Sequence, residues 1–162
     1  MCIRDRPGSR DSDRRLTAEG ERQAREVGDF LRKQNITIDA VLCSSAVRAQ
    51  QTLRLLKLGD HLRPDQVEIA DRFYNAGADT LITAVRELPD ACHVALLVGH
   101  APGAPALVYE LTDPSTSVPV AVRAIDGRFP PAALAQLEFD RDWSHLDACS
   151  LVSVNMPGLD SC

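Results

Sequence analysis

The pattern of apolar and polar residues changes along this chain, so that short apolar runs typical of strands alternate with the helical spacing typical of amphipathic helices. Residues 16–33 place Thr17 as a helix N-cap and line up Ala24, Val27 and Leu31 on one stripe, which predicts an amphipathic helix. Three short apolar runs predict strands, and a helical pattern follows each: IDAVLCSS before AVRAQQTLRLLK, the start of VEIADRFYNA before ADTLITAVREL, and HVALLV before residues 104–111. This alternation predicts a three-layer α/β/α fold with a mostly parallel sheet.

The last third of the chain has a different pattern. A segment rich in Pro, Ser and Thr follows Asp113 and is interpreted as a loop. ALAQLEF and LVSVN then alternate as two further strands around a turn that holds Trp143. We predict one domain over 11–157, preceded by a non-native or disordered stretch over 1–10 and followed by a tail over 158–162.

Composition narrows the classes of function. A chain of 162 residues with 44% hydrophobic residues is long enough for one core, and its net charge of -5 argues against binding nucleic acid. The five cysteines contain no Cys-x-x-Cys pair, and no apolar run reaches the length of a membrane span. The charged N-terminus does not resemble a signal peptide. We therefore expect a cytoplasmic protein with reduced thiols and no membrane partner.

Two strand-to-helix junctions carry the candidate chemistry. In LLVGHAPGA, His100 lies where a buried strand gives way to a helix, and Ser45 as an N-cap would place Arg48 in the first turn of the second helix. Parallel strands end at one edge of a sheet, so Arg48, His100 and Ser45 would converge there as a phosphate-binding set. The alternatives are a loop histidine bonded to backbone and a solvated arginine on a helix surface.

Four ordered blocks carry a resemblance to a known family. RRLTAEGERQA, DAVLCSSAVRAQQT, HVALLVGHAPG and RFPPAALAQLEFDRDWSHL resemble the histidine phosphatase (phosphoglycerate mutase-like) superfamily, and in particular its SixA-like phosphohistidine phosphatases, over about residues 11–157. The resemblance implies that Arg48 binds phosphate and that His100 helps to hold the transferring phosphoryl group. It also implies a nucleophilic histidine in an Arg-His-Gly or Arg-His-Ala motif at the end of a first strand.

This chain departs from the family at that motif. None of the other histidines, His61, His93 and His145, directly follows an arginine, and no apolar strand precedes residue 16. MCIRDR resembles translated sequencing adaptor, so we expect an N-terminally truncated or chimeric start, a sheet that lacks one central strand, and an inactive chain. No acidic residue can be assigned as the general acid.

The resemblance implies a phosphatase that works through a phosphohistidine intermediate and needs neither a metal nor another cofactor. Its substrate would be a phosphohistidine on a signalling or phosphotransfer protein, or a small phosphoester. A non-catalytic module that binds phosphate or a phosphoprotein is the alternative. A cysteine-dependent phosphatase built on Cys43 and Arg48 is a further reading, although only four residues separate the two where that chemistry needs five.

Overall fold

A computed structural model describes residues 10–59, 62–127 and 129–158. Its helices and strands in chain order are α1 (Ala18–Lys33), β1 (Ala40–Ser44), α2 (Val47–Leu56), β2 (Val67–Ala70), α3 (Ala78–Arg86), β3 (Ala95–Val98), α4 (Gly103–Leu111), α5 (Pro119–Ile125), β4 (Leu134–Glu138) and β5 (Ser150–Asn155). The expectations for residues 1–9, for His61 and for residues 159–162 lie outside the described part of the chain. The division into a start, a domain and a tail therefore stays a prediction.

The three strands that precede α2, α3 and α4 form a parallel sheet. β1 lies in the middle of the order β2-β1-β3, with Val41 opposite Val67 on one side and Leu96 on the other. Every residue of β1 is buried, as expected of a central strand covered on both faces. The prediction of an α/β fold with parallel strands is confirmed.

The two faces of this sheet pack against different helices. Val41 and Cys43 of β1 belong to a core cluster with Val27 and Leu31 of α1. Leu42, on the opposite face, belongs to a second cluster with residues of α3, α4 and α5. Helices therefore cover both faces, which gives the three layers that the sequence predicts.

Helix α1 begins as its sequence predicts and packs closely on α2. The Thr17 hydroxyl accepts a hydrogen bond of 3.0 Å from the Gly20 amide, so Thr17 is the N-cap. A Cβ atom at Gly28 would collide with the Leu56 carbonyl at the end of α2. Glycine at position 28 thus sets the distance between the two helices.

The segment after Asp113 differs from its prediction. It was interpreted as a loop, but the structure contains α5 within it. Pro119 takes the first helical position, where its missing N–H costs nothing, and Ala121 and Ile125 are buried against the core. A helix of seven residues with two buried side chains is too short to show a clear period in the sequence.

Strands β4 and β5 form a sheet of their own. They pair antiparallel, with Leu134 opposite Asn155 and a register shift between Gln136 and Leu137. The turn between them contains Trp143, whose Nε1–H donates to the Cys92 carbonyl oxygen at 2.6 Å. The two predicted strands around Trp143 are therefore confirmed.

A cavity of about 780 Å³ lies between the two sheets, and we call it the inter-sheet cavity. Residues 93–97 line it from β3 and the segment before that strand, and residues 133–139 line it from β4 and its flanks. Within the described residues, β3 pairs only with β1, and β4 pairs only with β5. The two facing strand edges are thus separated by this cavity.

Candidate active site

Arg48 lies in the first turn of α2, at the carboxyl end of β1, and only 5% of its surface is exposed. Its guanidinium donates at 2.7 Å to the Asp11 carbonyl oxygen and at 3.0 Å to the Asp11 carboxylate. A buried charge is costly unless it is paired, and Asp11 supplies the opposite charge. The reading of Arg48 as a solvated surface arginine is wrong.

His100 follows β3 and lies at the same edge of the sheet. Its Nε2 is 2.7 Å from the Ser44 hydroxyl, and its carbonyl oxygen accepts from the Ala104 amide in the first turn of α4. Burial, reinforced by the positive charge of Arg48, lowers the pKa of His100 to about 4. The imidazole is therefore neutral at pH 7.

The Tyr74 side chain contacts both His100 and Arg48. Its hydroxyl donates to the Asp11 carboxylate at 2.7 Å, and its ring meets the His100 ring edge to face at 5.7 Å between centroids. The Arg48 guanidinium carbon lies 5.9 Å from the centre of the same ring, within the range of a cation–π contact. Arg48 and His100 thus converge at the carboxyl edge through a shared aromatic neighbour. We call Asp11, Ser44, Arg48, Tyr74 and His100 the polar cluster.

Asp11, Ser44 and Tyr74 are the members of the polar cluster that the sequence analysis does not name, and Asp11 is the charged one. The hydrogen bond from Tyr74, together with the Arg48 guanidinium, lowers the pKa of its carboxyl group. Its side chain is 43% exposed, so one side of the Arg48 to Asp11 ion pair faces solvent. No local pattern links Asp11 to a partner 37 residues away, whereas its place in an acidic turn ahead of α1 is typical of a solvated surface residue.

The serine whose hydroxyl contacts His100 is Ser44, the residue before the predicted Ser45. The N-cap of α2 is Ala46 and not Ser45 as predicted, because the helix starts one residue later. The Ser44 hydroxyl is fully buried, accepts from the Ala46 amide at 3.3 Å and contacts His100. Ser45 uses its backbone, donating to the Ala70 carbonyl oxygen at 3.3 Å. A phosphate-binding role for Ser45 stays a prediction.

Positions 76 and 103 fix the two loops of the site against each other. A Cβ atom at Gly103 would collide with the Ala76 carbonyl oxygen, so the backbone at the start of α4 lies directly against the loop that follows Tyr74. Glycine is needed at position 103 because the backbone of the facing loop leaves no room for a side chain.

Cys43 does not have the environment of a nucleophile. It is fully buried in the cluster of α1 and α2, on the face of β1 that those helices cover. Burial raises the pKa of its thiol to about 12, so the thiolate is not populated at neutral pH. The burial and protonation of this thiol argue against the cysteine-dependent reading.

The other described histidines lie outside the polar cluster. His93 precedes β3, and its backbone amide donates to the Asp39 carboxylate at 2.9 Å. His145 is exposed in the short 3-10 turn with Trp143. Within the part of the chain that the structure describes, no three His, Cys, Asp or Glu side chains come together as metal ligands, and no helix is long and apolar enough to span a membrane.

The chain matches known proteins over most of its length. Residues 4–76 match the model of the histidine phosphatase superfamily (branch 1). An uncharacterized protein of Mycobacterium leprae is 34% identical over 149 residues, covering 91% of this chain and 89% of that protein. An uncharacterized protein of Mycobacterium tuberculosis is 32% identical over 152 residues, covering 93% of each.

Solved structures share the arrangement of the fold. The proposed phosphohistidine phosphatase SixA of Nakamurella multipartitia has a TM-score of 0.83 and 30% identity, over 97% of this chain and 91% of that one. A protein histidine phosphatase SixA complexed with tungstate has a TM-score of 0.69 and 25% identity, over 91% and 87%. The matched motif region contains Arg48, and the full-length likeness extends through His100. The chain therefore belongs to the histidine phosphatase superfamily.

Proposed function

We propose that the polar cluster is the phosphoryl-binding part of a phosphohistidine phosphatase site, in which Arg48 and His100 bind the phosphoryl group. The observation that carries this proposal is the buried Arg48 guanidinium, which meets a neutral His100 across the Tyr74 ring at the carboxyl edge of the parallel sheet. Ligands of α/β proteins bind at that edge. A planar guanidinium donates two parallel hydrogen bonds to phosphate oxygens, which gives orientation as well as charge.

Asp11 occupies the Arg48 donors until an anion arrives. Its carboxylate oxygen and its backbone oxygen mimic two oxygens of an oxyanion in front of the guanidinium. The partly exposed side chain can turn to solvent, and the incoming anion then takes its place on Arg48. Ser44 holds the His100 ring through Nε2, so a neutral imidazole is oriented before the ligand binds.

The substrate class comes from the solved structures, one described as a proposed phosphohistidine phosphatase and one as a protein histidine phosphatase. We extend it to this chain as a phosphohistidine on a signalling or phosphotransfer protein, or a small phosphoester. The family reaction also needs a nucleophilic histidine, and His100 is the one histidine in the polar cluster among the described residues. We therefore propose that this chain binds the phosphoryl group but does not turn it over.

The presence of one histidine in the polar cluster, among the described residues, favours a second function for the chain as it stands. A site with Arg48 and His100 but without a second histidine among the described residues can bind a phosphate or a phosphoprotein without cleaving it. A phosphatase and a binding module differ in turnover, so an assay of binding and an assay of hydrolysis together separate them.

Titration with tungstate followed by calorimetry tests the binding site. We expect one tungstate per chain, and we expect Arg48→Ala and His100→Ala each to weaken binding by about tenfold or more, because each removes a hydrogen bond to a charged group. Arg54→Ala, an exposed arginine on the same helix, is the matched control and should bind as the parent does. Equal affinity in all four proteins would overturn the site.

Hydrolysis of a phosphohistidine protein and of a generic phosphoester, with no metal added, tests turnover. We expect none from the chain as given. Turnover that His100→Ala abolishes would show that a nucleophile lies within the chain and would overturn the proposal that it only binds. Turnover that Cys43→Ser abolishes would restore the cysteine-dependent reading.

A further inference from the structure

We infer that Ser44 is a positioning residue, whose hydroxyl donates to Nε2 of His100 and holds the ring as the tautomer that carries its proton on Nδ1. The inference rests on the proposed function, which it deepens by naming the ring nitrogen that meets the phosphoryl group. The Ser44 oxygen and Nε2 lie 2.7 Å apart, which is a hydrogen-bond distance. That distance alone does not place the proton, because a neutral imidazole donates from one nitrogen and accepts at the other.

The Ser44 hydroxyl has one proton to donate. Ser44 is the last residue of β1 and is fully buried, so bulk water does not reach it. Its oxygen already accepts from the Ala46 amide at 3.3 Å. Among the described residues, the acceptor within hydrogen-bond distance of this hydroxyl is Nε2 of His100. The hydroxyl proton therefore points to Nε2, since a buried donor without an acceptor is costly.

The opposite tautomer leaves the same hydroxyl unsatisfied. If Nε2 carried the proton, the Ser44 oxygen would accept from both Nε2 and the Ala46 amide, and its own proton would have no acceptor among the described residues. Nδ1, the ring nitrogen left for a ligand, would then offer a lone pair to an oxyanion, and two electron-rich groups repel each other. With the proton on Nδ1, the hydroxyl is satisfied and Nδ1–H is left to donate. The hydrogen bonds thus select one of the two tautomers.

Nδ1 is the ring nitrogen that remains available to a ligand. Within the described part of the chain it has no hydrogen-bond partner, and His100 is half-buried rather than enclosed. Burial, together with the Arg48 charge, lowers the pKa of His100 to about 4, so the ring is neutral at pH 7 and has a single N–H. The position of that one proton decides whether His100 attracts or repels an oxyanion. Ser44 therefore sets the sign of this contact without touching the anion.

Nitrogen-15 NMR of the histidine rings tests the tautomer in the free protein at pH 7. A protonated ring nitrogen and an unprotonated one resonate in separate regions of the spectrum, so the two tautomers give different patterns. The chain has four histidines, and the signals that disappear in His100→Gln are those of His100. We expect a protonated Nδ1 and an unprotonated Nε2. A protonated Nε2 would overturn the inference, whether or not the protein binds tungstate, and this measurement requires no variant of Ser44.

The Ser44→Ala variant tests whether the hydroxyl selects the tautomer. We expect its spectrum to show a mixture of both tautomers, because Nε2 no longer receives a hydrogen bond. Ser117→Ala is the matched control, since Ser117 is also buried and its hydroxyl also has two partners, the Asp113 carbonyl oxygen and the Leu151 amide. The control should leave the His100 signals unchanged. An unchanged spectrum in Ser44→Ala, or the same change in Ser117→Ala, would reduce Ser44 to a structural residue and overturn the inference.

A double-mutant cycle with tungstate connects the tautomer to binding. We expect Ser44→Ala to weaken tungstate binding by about threefold or more, and to have no further effect in a chain that already carries His100→Ala. Unchanged binding in Ser44→Ala, or an equal loss in both backgrounds, would contradict a role that acts through His100. A parent chain that does not bind tungstate would overturn the proposed function instead, and the tautomer of the free ring would then decide whether Ser44 positions His100.

Discussion

The polar cluster and the inter-sheet cavity border the same strand, β3, but the polar groups around them differ in whether they have hydrogen-bond partners. In the polar cluster, the buried Arg48 has a carboxylate and the buried Ser44 hydroxyl has two neighbours. Across the cavity, two strand edges face each other without pairing. The difference shows that contacts among the described residues supply partners to the polar cluster, whereas they leave the facing edges of β3 and β4 unpaired. A ligand site can thus be preorganised in a fold whose central layer is interrupted.

Adding a strand ahead of Asp11 should change this comparison most. We expect an apolar strand ending in Arg-His-Gly or Arg-His-Ala, grafted directly ahead of Asp11, to produce phosphatase activity at least ~1,000-fold above the parent chain, because it adds a nucleophile to oriented donors. Hydrolysis of a phosphohistidine protein measures it. A graft that carries glutamine in place of its histidine is the control and should fill the cavity without turnover. An active glutamine graft would contradict the assignment of the nucleophile.

Removing Arg48 should break the polar cluster while leaving the cavity filled. In the grafted protein, we expect Arg48→Ala to lower kcat/KM by about 100-fold, since it removes charge that acts on the transition state. Arg54→Ala on the same helix provides the comparison. The same loss in both variants would mean that general surface charge, rather than the site, controls the rate.

Acid should weaken the polar cluster before it affects the core. The pKa of His100 is lowered from 6.5 to about 4, so between these values the unfolded chain binds a proton that the folded chain excludes. The free energy of unfolding is therefore fully retained above pH 6.5 and falls as the pH drops towards 4. We expect the His100→Gln variant to lose about 2 kcal/mol less than the parent between pH 7 and pH 4.5, measured by urea unfolding. A His100→Gln curve that follows the parent would refute the burial argument.

Tyr74→Phe should produce the smallest change. It removes the hydroxyl that bonds to Asp11 but keeps the ring between Arg48 and His100. We expect a loss of about 1 kcal/mol in the free energy of unfolding and tighter binding of tungstate by a few-fold, because Asp11 is then released more easily from Arg48. Calorimetry and thermal unfolding measure both effects. Weaker tungstate binding would instead show that the hydroxyl itself contacts the anion.

The sequence predicts the elements of this fold well where local pattern decides them. Thr17 with its amphipathic stripe, the buried run of β1 and the junction at His100 all have signals within a few residues. The start of α2 was predicted one residue early, so Ser45 was assigned as the N-cap, whereas the structure places Ala46 there. Ser44, whose hydroxyl contacts His100, is the last residue of β1 and had no signal of its own in the sequence.

Contacts between distant segments left no signal that one sequence could reveal. The bond from Arg48 to Asp11 joins positions 37 apart, and that from Tyr74 to Asp11 joins positions 63 apart. Such pairs depend on how α1 and the loops pack. Neither the hydrophobic period nor the spacing of residues within a motif encodes that packing. α5 was missed for a related reason. Its stability comes from the packing of its buried residues Ala121 and Ile125 against the core, rather than from the helix propensity of its short sequence.

The close contact at Gly103 has a consequence for motion. Because the backbone of α4 touches the Ala76 carbonyl, the loop that carries Tyr74 and the junction that carries His100 cannot slide past each other. The Tyr74 and His100 rings therefore keep a separation that is set by main-chain packing rather than by their own contact.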